Sequence, residues 1–194
     1  VAREARVRAG LDRVEEVGRI GILRYHPRAV LGVASPSSRA ALAGLRTFDV
    51  VVSVAGRPVD RWIDLQAALE TNRGSSVPLT YLRPVRVEGA LGGLADLEIY
   101  EPHVARVTPD AAGGSGTDRA GIELSDLYVH RVIAGSPEHQ IGLLPGDRLV
   151  ALDGSTIRNW ETFQQDLRTG QGRERNLTFR HDDRMITRSF RLRH

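Results

Sequence analysis

A chain of 194 residues with 41% hydrophobic and 26% charged residues has room for one large or two small domains, and enough apolar surface to exclude a mainly disordered polypeptide. The absence of cysteine excludes disulfides and thiolate metal sites, and no apolar run reaches the roughly 18 residues a membrane-spanning helix needs. All 27 basic residues are arginine, but 24 acidic residues interleave with them to leave a net charge of +3, which argues against a nucleic-acid surface.

In chain order, residues 1–18 read as helical or irregular, with Leu11, Val14 and Val17 at helical spacing, as in a connection to a preceding element. The start at Val1, with neither initiator Met nor signal peptide, reads as a piece cut from a longer protein. An apolar-Gly-apolar turn follows at Ile20-Gly21-Ile22. Strands are then expected at Ala29–Val33, Val50–Val54 and Val77–Leu82, short and long helices at Arg39–Ala43 and Trp62–Leu69, and a closing strand within Leu94–Val107. The small, polar, Gly-rich run Asp110–Thr117 reads as a flexible linker that limited proteolysis nicks first. Beyond it lie a second such turn, Ala120-Gly121-Ile122, and a β-branched strand, Tyr128–Ile133. Ser136-Pro137 offers an N-cap and an N1 proline to a short helix that stops at Gly142. Arg148–Leu152 is a strand between the turns Pro145-Gly146-Asp147 and Asp153-Gly154. Asn159 caps a helix over Trp160–Arg168 whose Trp160, Phe163, Gln164 and Leu167 share one face, and strands Arg175–His181 and Met185–Arg193 close the chain.

These elements repeat. Ser38–Leu69 aligns without a gap on Ser136–Leu167 at an offset of 98, which pairs Asp49 with Asp147, Gly56 with Gly154 and Trp62 with Trp160, while Arg19-Ile20-Gly21-Ile22 matches Arg119-Ala120-Gly121-Ile122 at an offset of 100. The repeat divides the chain into a connecting segment (1–18), a first domain (19–107), a linker (108–118) and a second domain (119–194).

Gly135-Ser136-Pro137, Gly142-Leu143, Pro145-Gly146-Asp147 and Asp153-Gly154 at these spacings resemble the signature of bacterial PDZ domains. The first copy departs from it in register, with Thr47-Phe48 in place of Pro-Gly and Ala55 in place of Asp. The resemblance implies an α+β, mainly β fold: two PDZ-like, partly open β-barrel or sandwich domains, each with two helices. It also implies that each copy binds a C-terminal or extended peptide as an added strand. The carboxylate-holding turns would be Ile20, Gly21, Ile22 and Leu23 in the first copy and Ala120, Gly121, Ile122 and Leu124 in the second. The groove helices would contribute Trp62, Gln66 and Leu69, and Trp160, Gln164 and Leu167, with Leu65 and Phe163 turned into the cores. The tryptophans fit core sealing equally well.

Two adjacent copies with Trp opening each groove helix resemble the periplasmic PDZ tandem of RseP-type site-2 proteases. That likeness implies an extracytoplasmic loop of a bacterial inner-membrane zinc metalloprotease, recognising or size-filtering a membrane-protein substrate in regulated intramembrane proteolysis. Zinc would sit in a protease core outside this piece, because no His-Glu-x-x-His motif occurs and the histidines show no i, i+4 pairing. Neither catalytic nor metal-ligating residues, nor membrane insertion, are expected here. The alternatives are the C-terminal PDZ tandem of an HtrA-like serine protease and a peptide-binding scaffold of a secretion assembly.

Overall fold

The computed structural model describes residues 28–89, 95–169 and 172–191, so Ile20, Gly21, Ile22, Leu23 and the connecting segment 1–18 lie outside the described residues. The elements are β1 (Leu31–Val33), α1 (Arg39–Leu42), β2 (Val50–Val54), β3 (Arg57–Pro58), α2 (Trp62–Thr71), β4 (Val77–Gly89), β5 (Ala95–Val107), α3 (Gly116–Ala120) and β6 (Ile122–Leu124). A 3-10 turn (Ser125–Leu127) leads to α4 (Pro137–Gln140), β7 (Arg148–Leu152), β8 (Ser155–Thr156), α5 (Trp160–Thr169), β9 (Glu174–His181) and β10 (Arg184–Arg191). Two antiparallel sheets, β3-β2-β4-β5 and β8-β7-β9-β10, each cover their own apolar core, and β1 pairs with β6 in a third, two-stranded sheet. The architecture is α+β, mainly β, with open sheets.

The two large sheets repeat each other down to single hydrogen bonds. The Ser38 and Ser136 hydroxyls accept from the N–H groups of Ala41 and His139, capping α1 and α4. β2 and β7 both shift register two residues before their tight turn, at Val51/Ser53 and Leu149/Ala151. Leu65 and Phe163 are buried, as the helical spacing predicts. The first copy's missing aspartate also has a local cause. Asp153 accepts the Asn176 N–H at 2.7 Å, whereas the residue matching Asn176 is Pro78, which has no N–H to offer, so Ala55 suffices.

One strand departs from the expected order. β6 pairs antiparallel with β1 (Leu31 opposite Leu124, Gly32 opposite Glu123, Val33 opposite Ile122), so the turn at Ala120-Gly121-Ile122 joins the first core and not the second. Tyr128–Ile133 accordingly forms no strand: it keeps a single bridge, Tyr128 to Arg148, because the segment that would pair with it has been taken by β1. The Gly-rich run is likewise no simple linker. Ser115 and Asp118 cap each other at the start of α3, Thr117 is buried, and Gly116 lies so close to α2 that a Cβ would overlap the backbone of Glu70. Proteolysis is therefore expected to be confined to Ala111–Gly114, which is exposed.

Each half also holds a buried aspartate with its own basic side-chain partner. Asp49 accepts Arg83 Nε at 2.9 Å and a terminal Arg83 nitrogen at 2.7 Å, together with the Arg46 N–H at 2.8 Å. Asp147 accepts the Leu144 N–H at 2.8 Å, and its other oxygen lies 2.6 Å from His181 Nδ1. The hydrogen bond and charge of Asp147 raise the His181 pKa above its ordinary value of about 6.5. A raised folded-state pKa contributes stability that is complete below the unfolded value and disappears as pH rises through the folded one. The second half is therefore expected to lose stability on alkalinisation past that point. His181→Arg should remove this dependence, and guanidinium denaturation at stepped pH checks it.

Candidate functional site

β6 is an edge strand. Ser125 N–H donates to Val30 C=O and Gly121 C=O accepts from Ala34 N–H, so residues 121, 123 and 125 face β1, and alternation turns the backbone groups of Ile122 and Leu124 to the open side. Gly121 enters this strand in the left-handed region (φ 70°), against Ser38, where a side chain would collide with the Ser38 Cβ. Its own N–H already donates to Asp118 C=O at 2.9 Å, which leaves the Ile122 amide as the open donor at the corner. The helix across from this edge is α2: Ile122 shares a core with Leu65 and Leu69, Trp62 packs against that core, and Gln66 is half-buried beside it.

The structure thus brings Ala120, Gly121, Ile122 and Leu124 together with Trp62, Gln66 and Leu69, and not with Trp160, Gln164 and Leu167. Those last three line a separate cavity of about 690 Å³ in the second half, which opens between α5 and the segment Tyr128–Ile133. Its walls are mainly apolar, from Val129, Leu149, Phe163, Leu177 and Phe190.

Between the halves lies a polar joint that pattern reading missed. Glu123, on β6, receives Arg148 Nε at 2.6 Å and Arg180 at 3.4 Å, and the Tyr128 hydroxyl sits 2.9 Å from Glu123, 3.2 Å from Val33 C=O and 2.7 Å from Arg180. Burial, reinforced by the Glu123 charge, pushes the Tyr128 phenol well above its usual pKa, so it acts as a neutral donor. Gly32 makes room for the ring, since a Cβ there would overlap it. The one available signal was the pairing of an aromatic residue, Tyr128, with Val30 at the repeat offset. Among the described residues no cluster of three His, Asp or Glu side chains could hold a metal ion, so the zinc that the family resemblance implies does not fit here.

Residues 103–179, from β5 to β9, match the PDZ domain. The chain is 29% identical over 156 residues to the putative zinc metalloprotease of Neisseria meningitidis, covering 78% of this chain and 33% of that protein. It is 26% identical over 145 residues to protease RseP of Yersinia pestis (75% of this chain, 32% of that one). It is also 28% identical over 141 residues to the periplasmic serine endoprotease DegP of Salmonella typhimurium (68% and 27%). The chain spans about a third or less of each of these relatives. With residues 103–179 matched, the chain carries a PDZ domain and is similar to zinc metalloproteases and to RseP of the site-2 protease family.

Proposed function

We propose that this chain is a tandem of two PDZ modules on the extracytoplasmic side of a bacterial inner membrane, belonging to a site-2 intramembrane zinc metalloprotease, where it recognises or size-filters membrane-protein substrates. The observation behind it is the edge strand β6, entered through the left-handed Gly121 corner beside α2, which offers the open Ile122 and Leu124 backbone to an incoming peptide. Ile122 N–H would receive the peptide's terminal carboxylate, and Trp62, Gln66 and Leu69 would meet its side chains. The similarity to the Neisseria metalloprotease and to RseP supports the parent enzyme, in which zinc and the protease core lie outside these 194 residues. Among the described residues no helix is long and apolar enough to cross a membrane, which fits a module held beside the bilayer.

Calorimetric titration with peptides ending in an apolar residue and a free carboxylate is expected to give micromolar binding. Gln66→Arg, on the half-buried groove face of α2, should weaken it at least about tenfold without unfolding the chain, a loss of about 1.4 kcal/mol. Absence of binding by every peptide would exclude capture and leave size exclusion. The similarity to DegP favours a second reading, a PDZ tandem following a serine protease domain. The parent reading frame separates the two: a His-Glu-x-x-His motif in an apolar segment supports the metalloprotease, and a His, Asp and Ser triad domain supports the other.

A further inference from the structure

The joint between the halves is built from residues that the repeat does not require. Arg148 and Arg180 are direct cross-strand partners in β7 and β9, and the repeat offset of 98 carries them onto Val50 and Leu82, which are direct partners in β2 and β4. The same place in the fold thus holds an apolar pair in the first half and two like charges in the second. Guanidiniums opposite each other on one sheet face repel, so the second sheet is not stabilised by them on its own. The carboxylate that meets both belongs to Glu123 of β6, with Arg148 Nε at 2.6 Å and Arg180 at 3.4 Å, and all three side chains are half-buried. Tyr128 stands where the first half has Val30, and its hydroxyl reaches both strands of the small sheet, 2.9 Å from Glu123 on β6 and 3.2 Å from Val33 C=O on β1.

β6 has need of such a hold. Its ladder with β1 is three residue pairs long, and two short strands by themselves are marginal in water. Ile122 is anchored in the first core, but Leu124 is only half-buried. Beyond Ile122 the strand is therefore fixed by the Ser125 N–H to Val30 C=O bond at 3.2 Å and by the Glu123 side chain. Because residue 123 turns its backbone to β1, the joint does not compete with a peptide for the open Ile122 and Leu124 groups.

We propose that Arg148 and Arg180 are positioning residues for the peptide edge: acting through Glu123, they hold β6 against β1, so that peptide binding in the first half and the seating of the second half on it strengthen each other. Such coupling is reciprocal. The proposal rests on the reading of β6 as the peptide edge, and makes that edge depend on the neighbouring module.

Arg148→Val combined with Arg180→Leu tests this, because it copies the pair that the first sheet already accepts and removes only the cations. The denaturation transition seen by Trp160 shows that the second half still folds. The expected result is at least about fivefold weaker binding of peptides with an apolar C-terminus, and exchange of the Ser125 amide faster by a similar factor. The Ala55 amide, which donates to Pro78 C=O within the first sheet, should exchange as before. Adding Glu123→Gln to the double variant should bring no further loss, since both changes break one contact. Parental affinity in the double variant would overturn the proposal, and so would losses that add. A parent chain that binds no such peptide refutes the peptide edge instead, and the Ser125 amide, read without ligand, then decides whether the joint holds the strand.

Discussion

Replacing Asp49 by alanine is expected to cost the first half about 3 to 5 kcal/mol, the scale of breaking a buried charge pair from one side. The carboxylate is 1% exposed and holds three hydrogen bonds, two from Arg83 and one from the Arg46 N–H. Its loss leaves the guanidinium, only 16% exposed, with Gly44 C=O as an acceptor and only the weaker influence of Glu101, opposite it on β5, as counter-charge. Asp147→Ala in the second half should cost less, because its partner His181 is 40% exposed and can release its proton. Each half contains one tryptophan, so Trp160→Phe leaves Trp62 to report the first half, and Trp62→Phe leaves Trp160 to report the second. Denaturant curves followed by single-tryptophan fluorescence measure both costs. Equal losses from the two aspartate variants would show that the cation's burial does not govern the difference.

Ile122→Asp is the other large effect, and it also decides which half owns the strand. A carboxylate placed at a position 1% exposed, amid Leu65, Leu69 and Leu79, has no cation in that core to pair with, and a loss of more than about 4 kcal/mol is expected. The loss should appear at Trp62, which packs against that core, and leave the transition seen by Trp160 close to its original midpoint. In the order suggested by linear reading, with Ala120–Leu124 in the second domain, the same variant would unfold the half containing Trp160. The two tryptophans give opposite answers for the two arrangements.

What could be read from the sequence was what local chemistry decides. Ser38 and Ser136 before short helices, the glycine turns, and the period of Trp160, Phe163, Gln164 and Leu167 each constrain the backbone within a few residues, and the structure follows them. The destination of β6 is different in kind. Leu31–Val33 and the β-branched run Tyr128–Ile133 are equally suitable partners for Ile122–Leu124 by composition, and the choice between them rests on contacts distant in sequence. It is settled by Gly116 against α2, by Gly32 beneath the Tyr128 ring, and by Glu123 between Arg148 and Arg180. A trace was present all the same. The turn motifs repeat at 100 residues while everything after them repeats at 98, so the turns need not move with the elements that follow. The candidate site shifted for the same reason: periodicity marks the helices and the family resemblance makes them groove walls, but the strand opposite each helix depends on a pairing that neither encodes.

The ownership of β6 can be measured without any substitution by nuclear Overhauser effects between α-protons. Leu31 opposite Leu124 and Val33 opposite Ile122 are the non-hydrogen-bonded pairs of their ladder, which bring α-protons into close contact. Cross-peaks for both pairs are the predicted result. Cross-peaks joining Ile122 and Leu124 to residues 129–131 instead would contradict it, and would return the groove strand to the second half.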